Sequence, residues 1–314
     1  MSSHLPSMRS ANSLSSEKAI SSPSPSTLHG LIESMRVRQW LKNLLVFAVP
    51  VAAGELLQRD VLIATLLAFV AFCLASSATY LLNDAVDVER DRAHPVKRNR
   101  PLAAGRVSRT AVLTTAAILA VASIALGFLT TRALGLSVIA YLVLTVLYSM
   151  WLKHEPVIEL ALLTAGFLLR ATAGAAATGI PISNWFLIVA GFGSLFMAVG
   201  KRYSEVMNQG QHTATRRSLA GYSPEFLRWA AGVSAAVAIT GYCVWAFQVA
   251  AETPSSLPWA ELSVIPFVMA ILRYAIRILA AEAEAPEEAV LGDRVLIALA
   301  LVWAIIFALG AYGV

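Results

Sequence analysis

Between residues 80 and 95 the chain reads YLLNDAVDVERDRAHP, in which Asn83, Asp84, Asp87 and Asp91 supply oxygen-bearing side chains at short spacing. On a continuous helix the three aspartates stand at i, i+3 and i+7, with Asn83 four residues before Asp87, so all four share one face. Like charges so placed repel, and the face needs a counter-charge. Arg90 and Arg92 would neutralise it if it were only a solvated helix end. The other reading is a hard cation. Oxygen-only ligands with open positions suit magnesium, which is typically held by one or two carboxylates and completes its shell with substrate phosphates. Lys97, Arg98 and Arg100 follow at once, then Pro101, Leu102 and Gly105. Bases within a loop's reach of an acid-bound cation make a site for a polyanion that bridges the metal, and diphosphate is the obvious candidate.

The elements that carry such a site must live in a bilayer. Of 314 residues, 58% are hydrophobic and 14% charged, whereas soluble domains carry about 25% charged residues. At about 20 apolar residues per crossing, nine segments qualify: 39–54, 61–83, 108–129, 133–151, 157–178, 185–201, 225–249, 262–280 and 294–313. The first is short and interrupted by Pro50, and the eighth contains Arg273 and Arg277. The fold class expected is an all-α membrane protein of about nine transmembrane helices. Of the 24 Lys and Arg, only Arg59 and Arg132 fall in loops of one side and Arg170 within a span, leaving 21 for the other. The positive-inside rule then puts the N-terminus and the acidic face in the cytoplasm and the C-terminus outside. Residues 1–32, rich in Ser and Pro, read as a disordered tail, and 33–314 as one transmembrane catalytic domain. Cys73 and Cys243 sit in apolar runs and read as small buried hydrophobes. Arg170 lies about 16 Å into its helix. A charge that deep must line a polar cavity or meet a partner such as an acid or a carbonyl. The small residues from Ala173 to Ala177 permit close helix packing.

The run Asn83-Asp84-Ala85-Val86-Asp87-Val88-Glu89-Arg90-Asp91, of the form NDxxDxxxD, resembles a signature of the UbiA superfamily of intramembrane prenyltransferases. Asn99-Arg100-Pro101-Leu102 with Gly105 is similar to the NRPLxxG that follows it there. Arg38-Gln39-Trp40-Leu41-Lys42-Asn43 resembles the superfamily's first-helix entry, and Gly166-Phe167-Leu168-Leu169-Arg170-Ala171 its fifth-helix motif. The resemblance covers residues 36 to 313 and implies a bundle of that type with a cytoplasm-facing active-site cavity. Most members carry a second aspartate motif, DxxxD, after the sixth span. Here that place reads Gly200-Lys201-Arg202-Tyr203-Ser204-Glu205, with two bases and a single acid. Exchanging carboxylates for bases trades a metal site for direct phosphate binding. This GKRYxE, with Ile271-Leu272-Arg273-Tyr274-Ala275 and Asp293-Arg294-Val295-Leu296, resembles the actinobacterial branch that transfers phosphoribosyl groups to decaprenyl phosphate.

What the resemblance implies is transfer of 5-phosphoribosyl from phosphoribosyl diphosphate to a polyprenyl phosphate, decaprenyl in that branch, with release of diphosphate, as a step toward cell-wall arabinan. It implies magnesium on Asn83, Asp84, Asp87 and Asp91, with Lys97 and Arg100 as further donors to the leaving group. Lys201, Arg202 and Tyr203 become candidates for the 5-phosphate, Glu205 for the ribose hydroxyls or a water on the metal, Gln39 and Lys42 for either phosphate, and Arg170 for the cavity wall. The partners expected are the donor, the lipid phosphate and the plasma (inner) membrane, with no nucleic acid; a homo-oligomer is left open. An aromatic or quinone-type prenyltransferase is the alternative that the missing second aspartate motif opposes. A non-catalytic lipid-phosphate binder or transporter would place its ionisable groups near the midplane, whereas the acids here cluster at one interface.

Overall fold

The computed structural model describes residues 27–208, 221–252 and 257–312, and it is helical throughout. In chain order the elements are α1 (Thr27–Ser34), a 3₁₀ helix η1 (Val37–Phe47), α2 (Ala48–Ala52), α3 (Arg59–Val86), α4 (Val88–Ala93), α5 (Arg109–Thr130), α6 (Arg132–Met150), α7 (Ile158–Thr178), α8 (Asn184–Met207), α9 (Pro224–Glu252), α10 (Trp259–Leu279), α11 (Pro286–Leu291) and α12 (Arg294–Ala311). Eight of them, α3, α5 to α10 and α12, are long and apolar enough to cross a membrane, with mean hydropathy from 1.3 to 2.4. Most of the expected tail, residues 1–32, lies outside the described residues, and its last six belong to α1.

Short connections make α5 and α6, α6 and α7, and α7 and α8 antiparallel neighbours. Thr131 alone joins α5 to α6, its hydroxyl accepting the Leu134 N–H, and Ser108, Ser183 and Asp293 cap α5, α8 and α12 in the same way. Packing runs from α3 through α5, α6, α7, α8, α9 and α10 to α12, and the η1–α2 segment touches α3, α7 and α12, completing the circuit. Helix α3 is the most enclosed, with 56% of its apolar window buried against 11% for α12. Its buried face is made of small residues, Ala68, Ala71, Ala75, Ser76, Ser77 and Ala78, which let neighbouring backbones come close. Arg273 and Arg277, which fall in the apolar eighth segment, sit in the C-terminal half of α10 and both donate to Asp293 Oδ2, at 2.8 and 3.0 Å.

The first of the nine expected spans differs in kind. This stretch is not one α-helix; the eleven residues Val37–Phe47 wind as 3₁₀ and the five of Ala48–Ala52 form one α-turn. An α-helical partner for the Val46 carbonyl would be the N–H of residue 50, and Pro50 has none. The segment nevertheless runs from one end of the bundle to the other: its start lies beside Asp84 and Glu287, and Gly54, at its far end, lies against Ala311. A 3₁₀ helix rises about 2.0 Å per residue against 1.5 Å for an α-helix, so these 16 residues cover about 30 Å.

Three residues per turn also sorts the side chains of η1 into three rows. Gln39 and Lys42, in line with Arg36 before them, face the acids; Trp40, Asn43 and Val46 pack on α3 and α7; Arg38, Leu41 and Leu44 are exposed. The second row is pressed hard on α7, where a Cβ on Gly174 would fall 2.1 Å from the Val46 carbonyl and 2.8 Å from Pro50. Gly174→Ala is therefore expected to destabilise the bundle by about 1–3 kcal/mol, measured as a lower midpoint for heat-induced loss of helical circular dichroism in detergent.

Candidate active site

The acidic motif does not ride on one helix. Helix α3 stops at Val86, and Asp87, at φ −93° and ψ 8°, is at once its C-cap and the N-cap of α4. Asp87 donates its N–H to Asn83 O and accepts the Asp91 N–H at its own carbonyl, so the backbone bends without losing continuity. Helix α4 ends at Ala93 because His94, preceding Pro95, is extended. The expectation of four side chains on one helical face is thereby corrected, since the bend gives the aspartates different partners.

Asp84 and Asp91 are buried and converge on one guanidinium. Arg100 Nη1 reaches Asp84 Oδ1 at 3.2 Å and Asp91 Oδ2 at 2.6 Å, and Arg36 Nη2 adds a second contact to Asp84 Oδ1 at 2.5 Å. Asp87 is held instead by Lys153 Nζ, at 2.9 and 3.0 Å from its two oxygens, with Arg90 at 3.7 Å. Asn83 is half-buried in the last turn of α3, and Lys97 is half-buried in the turn after Pro95. Among the described residues no three acids, histidines or cysteines converge tightly enough to hold a metal by themselves. The donor set still fits one. A single positive nitrogen already lies between Asp84 and Asp91, and two carboxylate oxygens plus substrate phosphates are the shell that magnesium commonly takes.

Arg36 and Lys153 carry this site, yet in the sequence they stood out only as topology charges. Arg36 is set by α1, which is clamped over the 100–107 loop: Arg106 grips Glu33 at 2.8 and 2.9 Å, and Leu31 and Met35 pack on Leu102 and Val107. Arg36 itself has φ 53°, and the other non-glycine residues with positive φ among those described, Val157 and Ala281, also lie at this end of the bundle. Such conformations cost about 1–3 kcal/mol each and persist where surrounding structure enforces them.

On the neighbouring side of the same end, Gln39 Nε2 donates to Glu287 Oε1 at 3.0 Å and Lys42 Nζ lies 3.4 Å from the same oxygen. Burial works to raise the Glu287 pKa, but its own backbone N–H, Lys42 and Gln39 outweigh it and hold the carboxyl below its ordinary value of 4.5. Glu287 was not among the sequence-predicted residues, because four glutamates crowd positions 282–288 and nothing in their spacing singles one out.

Where the resemblance expected a phosphate-binding base, the structure holds a buried ion pair. Arg202 is 1% exposed; its Nε and Nη2 grip both oxygens of Glu159 at 2.6 and 2.5 Å, Nη1 donates to Glu205, and Nη2 also meets the Tyr148 hydroxyl at 3.3 Å. Glu205 is thus committed to Arg202 and to Lys201, whose Nζ lies 3.8 Å away. Tyr203 is buried in an apolar cluster with Phe196, Leu227 and Tyr274. Of the basic pair, only Lys201, about a third exposed, faces outward. Glu159 had a signal in the sequence: an acid at the start of an apolar run needs a partner inside the protein.

Arg170 meets neutral groups and no acid. It donates to Asn43 Oδ1 at 2.9 Å, to the Gly166 carbonyl at 3.0 Å and to the Tyr141 hydroxyl at 2.6 Å, and it lies 4.7 Å from the Tyr141 ring centroid and 5.5 Å from that of Phe167. Asn43 in turn donates to Cys73 and Ser76, so the deep charge ties η1, α3, α6 and α7 together. Of the two sequence-level readings, this arrangement is the pairing with carbonyl-type acceptors.

Two outcomes follow from these pairs. Arg202→Met leaves Glu159 sealed and unmatched, and is expected to cost about 3–5 kcal/mol; Arg202→Met combined with Glu159→Met should cost less than the two single changes summed, in a double-mutant cycle read by heat denaturation. The lowered pKa of Glu287 means that its contribution to stability is full above pH 4.5 and is lost as the pH falls through the depressed value. The gap in melting midpoint between the native chain and Glu287→Gln should therefore hold down to that pH and close below it.

With this geometry in place, known proteins supply a frame. Residues 44–301 match the model of the UbiA prenyltransferase family. The chain is 42% identical over 295 residues to the decaprenyl-phosphate phosphoribosyltransferase of Corynebacterium glutamicum, covering 92% of this chain and 89% of that one. It is 43% identical over 293 residues to the protein of the same name from Mycobacterium tuberculosis, covering 92% and 96% of the two. A UbiA homolog from Archaeoglobus fulgidus, solved bound to DMAPP and Mg2+, superposes with a TM-score of 0.69 at 15% identity, over 91% of this chain and 99% of that one. A family model over most of the chain, relatives matched nearly end to end and a shared fold lead to one conclusion: the chain belongs to the UbiA prenyltransferase family.

Proposed function

We propose that this protein transfers the 5-phosphoribosyl group of phosphoribosyl diphosphate to decaprenyl phosphate or a similar polyprenyl phosphate, releasing diphosphate, as a step toward cell-wall arabinan. The observation that carries the reading is the 42–43% identity, over about nine-tenths of the chain, to proteins named for that transfer. The replacement of a second acidic motif by the Arg202–Glu159 pair and an outward Lys201 supports the same donor, which brings a phosphate of its own beyond the diphosphate.

In the reaction an oxygen of the lipid phosphate forms a bond to the anomeric carbon of ribose while the bond from that carbon to diphosphate breaks. The attacking oxygen is already anionic, so no side chain has to remove a proton. A bound divalent cation such as magnesium, held by Asp84, Asp91 and Asp87 with Asn83 beside them, would supply charge neutralisation for the departing diphosphate. Arg36, Arg100 and Lys153, which pair with the aspartates, can donate to phosphate oxygens, with Lys97 alongside. In this reading Lys201 meets the donor's 5-phosphate, while Arg202 positions Glu205 and α8. Arg170, through Asn43, fixes the segment that carries Gln39 and Lys42. That segment, η1 with α2, serves as the ninth crossing. The acidic end faces the cytoplasm, as its Lys and Arg content favours.

Purified protein supplied with phosphoribosyl diphosphate, decaprenyl phosphate and magnesium should release diphosphate, with loss of turnover on chelation and a fall of about two to three orders of magnitude in Asp84→Asn. Undiminished turnover after chelation, or turnover of a prenyl diphosphate with an aromatic acceptor in its place, would overturn the reading.

A further inference from the structure

Every acid described at this end has a cation within reach, Glu287 included through Lys42, but among them only Glu287 leaves a carboxylate oxygen buried without a hydrogen bond. Asp84 and Asp91 share Arg100, Asp87 has Lys153, Glu159 and Glu205 have Arg202, and Asp293 has Arg273 and Arg277. Glu287 differs. Lys42 and Gln39 both approach Oε1, while Oε2 is sealed from solvent without a hydrogen-bond partner. A second orphan lies on the adjoining helix α10: Tyr274 is 5% exposed, its ring is packed edge-on against Phe196 at 5.7 Å, and its hydroxyl has no partner. Glu287 is the charged group whose field acts on that hydroxyl. Buried polar groups are rarely left unmatched, and two such atoms from α10 and α11 beside one ion pair describe a place kept for a ligand.

The chemistry of the pair says which part of a ligand. A carboxylate accepts hydrogen bonds and repels phosphate, and a tyrosine hydroxyl can donate and accept. Together they suit sugar hydroxyls. The row of η1 that brings Gln39 and Lys42 to Glu287 is the row that brings Arg36 to Asp84, one to two turns away, or about 6–12 Å along the segment. A ligand whose diphosphate sits at Asp84 thus extends its pentose toward Glu287.

We propose that Glu287 and Tyr274 bind the ribose hydroxyls of the donor and make the site selective for a ribosyl over a deoxyribosyl group. Glu205, the sequence-level candidate for this role, is committed to Arg202 and Lys201. The inference rests on the phosphoribosyl transfer proposed above.

The test is steady-state kinetics of diphosphate release with phosphoribosyl diphosphate and with its 2-deoxy analogue, for the native chain, Glu287→Gln and Tyr274→Phe. Losing a hydrogen bond to a charged group should raise KM for the donor about tenfold in Glu287→Gln, with kcat little changed and KM for decaprenyl phosphate unmoved. Its preference for the ribosyl over the deoxyribosyl donor should fall toward unity. Tyr274→Phe removes one oxygen and should raise the donor KM about threefold, so it carries the test if Glu287→Gln fails to fold. An unchanged donor KM, a retained ribosyl preference, or a rise confined to the lipid KM would each overturn the proposal while leaving the transfer standing. A native chain unable to use phosphoribosyl diphosphate at all would overturn both.

Discussion

A carboxylate withdrawn from water must have a positive group within reach, or it loses its charge or unfolds its surroundings. At Asp84 and Asp91 that requirement organises one whole end of the molecule. The cations that answer it come from far apart in the chain: Arg36 from the turn before η1, Arg100 from the loop after α4, and Lys153 from the α6–α7 connection to serve Asp87. The first two depend on supports of their own, α1 clamped by Arg106 for Arg36 and the Pro101–Gly105 turn for Arg100. Each of these three aspartates is therefore paired with a cation of the same chain.

The same logic explains how the bundle tolerates bases where a second acidic motif would be expected. Arg202 is sealed inside by Glu159 rather than offered to a ligand, so the added charge is a fastener between α7 and α8. Lys201, one residue earlier and about a third exposed, lies 3.8 Å from Glu205 instead. Arg170 repeats the pattern deeper in the bundle with neutral acceptors. A full charge there joins η1 to three helices and holds the cation row in place.

Much of this was legible in the residues themselves. NDxxDxxxD and the bases after it pointed to the cluster of acids and cations at one end of the bundle, and apolar lengths marked the helices from 61 onward to within a few residues. What escaped has physical causes. The bend at Asp87 leaves no mark, since aspartate is ordinary both inside a helix end and at a cap. The burial of Arg202 depends on Glu159, 43 residues away in the chain. Arg36 and Lys153 resembled any base at a membrane edge, which usually snorkels to headgroups. The segment over 39–54 reads as a short apolar helix because hydropathy does not tell a 3₁₀ from an α winding.

That winding has a consequence for how the chain can change. With three residues per turn, adding or removing a single residue between Val37 and Gln39 rotates everything after it by about 120°. An insertion would carry Arg38 and Leu41 to Glu287, and a deletion would carry Trp40 and Asn43 there. Either would also strip Arg170 of its amide acceptor. Side chains along this stretch can be exchanged one at a time at modest cost, but its length cannot vary at all: phase, more than composition, is what this part of the molecule inherits.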